Sequence, residues 1–240
     1  MILPAVIVRF ELGGAYALLG GATLVIAPVF LLLPARGPAA TPASAGLRKD
    51  AVRVIGFAII LSAAAAAHWT FTERMALQAG LNMAQVGQVF AASLVVGIIG
   101  ASIAAWIGDR FGSIRPIMLA WTMVLVIGFA VPYLPTPALF ILGFCLLRFF
   151  TNINDPFVVG VVARLDIEGR LTTIFAASGL FGAAIGPFIA STVAGDGDFT
   201  RLSWAFLLMG TAAFILFAQF LTRPEIRRAE TSGAVSGDTA

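Results

Sequence analysis

"FAASLVVGIIGASIAAWIGDRFGSIRPIMLAWTMVLVIGF", residues 90–129, sets a short polar turn between two long greasy runs. The turn carries Asp109, Arg110 and Arg115, while no Asp, Glu, Lys or Arg occurs at 75–108 or 116–147. An α-helix needs about 20 residues to cross the hydrocarbon of a bilayer, so each run is long enough. Working outward, residues 12–35, 54–72, 171–195 and 202–222 are also uncharged. The 116–147 run is too long for one straight helix and contains Pro132, Pro135 and Pro137. Proline lacks an N–H and restricts its predecessor, so the run divides there. The second piece continues past Arg148 and Asp155 to about Ala163.

The result is an all-α membrane protein, a bundle of about seven transmembrane helices. They fall near 13–33, 53–77, 84–107, 116–133, 138–163, 170–194 and 203–222. Composition agrees. The chain of 240 residues is 60% hydrophobic and 11% charged, with mean hydropathy +0.98. A soluble domain carries about 25% charged residues, so the solvent for most of this chain is the lipid bilayer, its first partner.

Alternating the spans across the membrane sorts the basic residues. Eleven lie on the side of Arg110, three on the other (Arg9, Arg74 and Arg201), and Arg148 lies inside a span. Lys and Arg near membrane ends stay cytoplasmic. The C-terminus is therefore expected in the cytoplasm and the N-terminus outside, in a bacterial inner (plasma) membrane. The stretch 35–52 reads as a Pro/Ala/Ser-rich, poorly ordered cytoplasmic linker, and 223–240 as a disordered tail. In this layout residues 1–34 are the end of a preceding helix and a first span, and 53–222 a six-helix unit.

Several chemistries lack their residues. The net charge of +3 is small and its basic residues are dispersed, so no nucleic-acid partner is expected. One cysteine, Cys145, and one histidine, His68, cannot form a disulfide or a zinc site. There is no G-x-S-x-G elbow, no phosphate-binding G-x-x-x-x-G-K-[ST] and no H-E-x-x-H. No cofactor, resident metal or catalytic set is expected, and "GDGD" (195–198) reads as an outer turn.

Polar groups deep in a span are costly and mark function by default. Arg148 lies about ten residues into its helix, roughly 15 Å deep at 1.5 Å per residue. Asn152 and Asp155, at i+4 and i+7, are expected on its face, with Asn154 pointing elsewhere. His68 should sit at a similar depth, with Thr72 on its face and Trp69 and Glu73 on the neighbouring one. Each residue has a plainer reading: Arg148 paired with Asp155 or Glu73 as a structural bridge, His68 bonded to a backbone carbonyl, Glu73 as a solvated helix end, Trp69 as packing. If Arg148 faces a cavity, its guanidinium suits an anionic or carboxylate-bearing solute. Proton coupling would need Glu73, Asp155 or His68 to titrate.

The opening turn, Asp109-Arg110-x-Gly112 followed by Arg115, resembles the signature loop of the major facilitator superfamily, roughly G-x-x-x-D-R/K-x-G-R-R/K. Ala105 replaces the first glycine, and Ser113 and Ile114 replace the basic pair. Gly182, Gly186 and Pro187 in "GLFGAAIGP" resemble the family's eleventh helix, and their small residues suit close helix packing. The likeness covers about residues 1–225, the last seven of twelve helices. It implies secondary active transport by alternating access, with 53–77 and 138–163 lining the path and Asp109, Arg110, Gly112 and Arg115 forming a conformational latch. It also implies a missing N-terminal half, or self-association, to complete the cavity. The alternative is a non-transporting membrane scaffold.

Overall fold

The computed structural model describes residues 45–108, 112–164, 170–194 and 199–221. The first expected span (13–33), Asp109 and Arg110 of the loop, the "GDGD" turn and the tail 223–240 lie outside them. Six long helices make up nearly everything described: α1 (Ala45–Gln78), α2 (Met83–Ile107), α3 (Ile114–Ala130), α4 (Pro137–Arg164), α5 (Arg170–Ala194) and α6 (Phe199–Leu221). No strand occurs among the described residues. All six are long and apolar enough to cross a membrane, the architecture of a helical membrane bundle.

Local chemistry sets the breaks. At the end of α1, Gly80 adopts φ 93°, and the N–H groups of Gly80 and Leu81 bond back to the carbonyls of Leu77 and Ala76. This pair of bonds closes a helix C-terminus on a left-handed glycine. Asn82 then starts α2. Its side chain accepts from the Gln85 N–H at 2.9 Å, and the Gln85 side chain accepts from the Asn82 N–H at 2.9 Å. The reciprocal cap satisfies two otherwise orphaned donors. After α3, Val131–Tyr133 tighten into a single 3₁₀ turn around Pro132, and Pro137 opens α4 at a position where its missing N–H costs nothing.

One expectation needs correction. Residues 35–52 read as a poorly ordered linker, yet α1 begins at Ala45. "AGLRKD" is made largely of good helix formers with no proline after Pro42, so the helix propagates back from the apolar span.

Packing is inverted relative to a water-soluble protein. The buried residues of α2 are Val86, Val89, Ser93, Gly97, Gly100 and Ala104, one stripe at helical spacing and mostly small. Its large residues Leu94, Val95, Ile98 and Trp106 face outward. Elsewhere Leu180 is 75% exposed and Phe188 71%. Such a belt is stable only where the surroundings are as apolar as the side chains.

The helices pair most extensively as α1 with α5 and α2 with α4, while α3 and α6 pack against these pairs. Two apolar clusters result. One, around Phe57, Trp121, Phe157 and Phe217, lies toward the N-terminal end of α1. The other, around Phe71, Phe140, Phe144 and Phe199, lies toward its C-terminal end. Between them the packing opens.

Candidate functional site

The opening is a cavity of about 440 Å³ at the waist of the bundle. Walls of Trp121 and Leu125 from α3, Phe175 from α5 and Phe206 from α6 are apolar. Among the described residues the polar side chains come from two helices: Ser62 and His68 from α1, and Arg148, Thr151, Asn154 and Asp155 from α4.

Arg148 is half-buried, and its guanidinium lies over the Trp69 ring, 5.1 Å from the centroid. Trp69 in turn stacks on Phe90 at 5.3 Å and leans on Phe144 at 5.9 Å. The indole holds the charge by the attraction of its π face and fixes the direction of the arginine. It uses no hydrogen-bonding capacity. Arg148 Nε is buried without a hydrogen-bond partner, and so is Oδ1 of Asn154, a residue only 5% exposed. Both atoms are covered by protein, so leaving them unpaired is costly.

Thr151 is self-satisfied, donating to the Leu147 carbonyl at 2.8 Å. Asp155 lies along the same wall and is exposed.

His68 is 4% exposed, and its Nε2 lies 3.2 Å from the carbonyl oxygen of Gly128 on α3. The bond follows from the sequence of α3. Four residues after Gly128 comes Pro132, whose missing N–H cannot close the helical bond to that carbonyl. His68 Nε2–H donates in its place. Within a bilayer, a freed backbone group must find such a substitute. Gly128 also leaves room for Phe206, whose ring would collide with any Cβ there, and the His68 and Phe206 rings lie 5.0 Å apart. His68 thus ties α1, α3 and α6 while forming part of the cavity wall. Its local carbonyl bond is the plainer of the two readings its position allows.

Two expectations are overturned in detail. Asn152 does not face the cavity with Arg148. Its Nδ2 donates to the Arg148 carbonyl at 2.8 Å, and its amide lies beside Gly97 of α2, where an added Cβ would come within 2.8 Å of Nδ2. Asn154, expected to point elsewhere, lines the cavity. At about 100° per residue the wetted face of α4 centres near Thr151, which admits Arg148, Asn154 and Asp155 but leaves Asn152 on the far edge. Counting only i+4 and i+7 from Arg148 draws the stripe along one side of the true face. A full helical wheel over 144–159 finds Thr151 and Asn154. Nothing in the sequence singles out Trp121 or Phe206, which arrive by tertiary packing.

Glu73 is exposed on α1 and lies outside the cavity lining. In the loop, Gly112 has φ 68°, a left-handed conformation that L side chains rarely adopt, and Arg115 is exposed at the start of α3. Asp109 and Arg110 lie outside the described residues. Gly182 and Gly186 form a seam against α1. A Cβ on Gly182 would overlap the Ile59 carbonyl, and one on Gly186 would come within 2.6 Å of the Ala63 carbonyl oxygen. Pro187 follows within α5.

Among the described residues, no group of three or more His, Cys, Asp or Glu side chains could hold a metal ion. To a ligand the site offers a cation and aromatic walls within a bundle of apolar helices. Set against known proteins, the chain matches no family model, no curated sequence and no solved structure.

Proposed function

We propose that the chain works in secondary active transport by alternating access, as the C-terminal half of a major facilitator transporter. The observation that carries this reading is the cavity at the waist of the bundle. Among the described residues its polar side chains come only from α1 and α4, the first and fourth helices of the six-helix unit. These are the two positions that the family resemblance assigns to the transport path. Arg148 and His68 place that polarity midway along their helices, where a solute site accessible in turn from both sides would lie.

The loop after α2 supports the same reading. Gly112 makes its turn, and Arg115 begins the helix beyond. In this proposal Asp109 and Arg110 act as a latch that holds one conformation and releases in the other. The ends of the helices bearing Arg53, Arg115, Arg164 and Arg170 face the cytoplasm, and a further span precedes α1. Five more helices, or a second copy of the chain, complete the cavity, and proton coupling is part of the proposal.

Single-cysteine labelling tests it. With Cys145 replaced by Ser, a cysteine at Thr151 should react with a membrane-impermeant thiol reagent through the cavity, and a cysteine at Gly112 should react only from the cytoplasmic side. Labelling of the Gly112 position from outside would overturn the topology. A Thr151 cysteine inert in both right-side-out and inverted vesicles would overturn the transport path.

A further inference from the structure

The cavity has a more specific occupant than "a small solute". Its walls present a guanidinium fixed against an indole face, the Asn154 side chain, and flat apolar surfaces supplied by Trp121, Phe175 and Phe206. A charge kept in an apolar bundle costs desolvation, so a ligand that pairs with the Arg148 guanidinium gains.

Charge narrows the choice. Among the described residues the cavity holds one arginine and no second Lys or Arg, and its other formal charge is the Asp155 carboxyl. Asp155, about 10 Å along the helix from Arg148, acts electrostatically on the guanidinium and opposes a second carboxylate beside it. A cationic ligand would meet Arg148 directly.

Size and shape narrow it further. A volume of about 440 Å³ sits at the lower end of the range for small-molecule sites, and aromatic side chains suit a planar body.

We infer that this cavity binds monocarboxylates with a flat apolar body, the carboxylate forked onto Arg148. This rests on the reading of the cavity as the solute site and names its substrate class.

The test is binding by the full 240-residue chain in lipid nanodiscs, read by tryptophan fluorescence, since Trp69 and Trp121 both line the cavity. Four probes of similar body are compared: phenylacetate, phenethylammonium, benzyl alcohol and, as the dianion, phenylmalonate. Phenylacetate should quench saturably and at least tenfold more tightly than each of the others. Arg148→Gln should weaken it at least tenfold. Arg148→Lys, which keeps the charge and loses the fork, should weaken it severalfold and serves where the neutral variant does not fold.

Equal affinity for phenylacetate and benzyl alcohol, preference for phenethylammonium, or no saturable binding of any probe would overturn the assignment, and the comparison needs no variant. Vesicle uptake separates this claim from the transport reading. Anion binding without uptake leaves the substrate class standing and removes transport. Uptake of a neutral or cationic solute without anion binding does the reverse.

Discussion

One helix, α1, shows two opposite solutions on two faces. Toward α5 it presents Ile59, Ala63, Ala66 and Ala67 to Gly182 and Gly186, and the backbones themselves touch. On another side Trp69 meets Arg148 of α4, and with His68 it lines an open cavity. The first face leaves no space between the helices. The second keeps large side chains and space. In a bilayer, where lipid tails solvate apolar groups as well as another helix does, close packing of small residues is what holds the bundle together. The seam is therefore built for stability, and the cavity retains groups that stability alone would discard.

The two faces should answer substitution with opposite signs. In the seam, Gly182→Leu places a side chain on the Ile59 backbone, where neither partner can yield. It should destabilise by more than about 3 kcal/mol and leave little folded protein in detergent, as read by thermal melting. Gly179→Ala is its control, because a Cβ there meets only the Ser62 hydroxyl at 3.1 Å, and its cost should stay below about 1 kcal/mol. If both variants melt alike, backbone contact is not what holds α1 to α5.

His68 belongs to both worlds, since it lines the cavity and caps a carbonyl. His68→Leu should cost about 1–3 kcal/mol by leaving the Gly128 carbonyl without its donor. In a Pro132→Ala background the helix regains its own N–H, and the same substitution should cost clearly less. A double-mutant cycle in melting temperature measures this coupling. Strict additivity would show that His68 does not stand in for the missing backbone donor.

In the cavity the sign reverses. Asn154→Leu removes a buried, unpaired amide oxygen and should raise stability by about 1 kcal/mol. A fall in melting temperature would mean that Asn154 is structural. The smallest effect is expected at Glu73, exposed and outside the cavity. Glu73→Gln should alter stability by less than about 0.5 kcal/mol and leave phenylacetate binding as it was.

The helices are legible in the sequence because their signal is one-dimensional. An uncharged run of about 20 residues in lipid has no alternative but to close its own hydrogen bonds, so charges and prolines delimit most of the spans. The breaks after α2, α3, α4 and α5 fall within a few residues of the boundaries that charge and proline mark, while the break after α1 lies inside an uncharged, proline-free run and is set by Gly80 and Asn82. The start of α1 is not legible this way, because helix formers such as Leu47, Arg48 and Lys49 continue a helix without lying in an uncharged run. The site is half legible. His68, Trp69, Arg148 and Asp155 stand out because polar groups within long apolar helices are conspicuous. Asn152 and Asn154 exchange places, since the face of α4 that becomes wet depends on which neighbours cover the rest, and α2 covers Asn152 through Gly97.

That this chain folds as apolar helices, and which few polar groups must lie among them, follows from residue order alone, because both depend on the free energy of burying each residue in lipid. Three other outcomes needed the assembled bundle: α1 meets α5 through glycines, His68 reaches the carbonyl that Pro132 leaves open, and Arg148 and Asn154 share a cavity. They depend on rotations and contacts between helices far apart in the chain, and hydropathy carries no information about them.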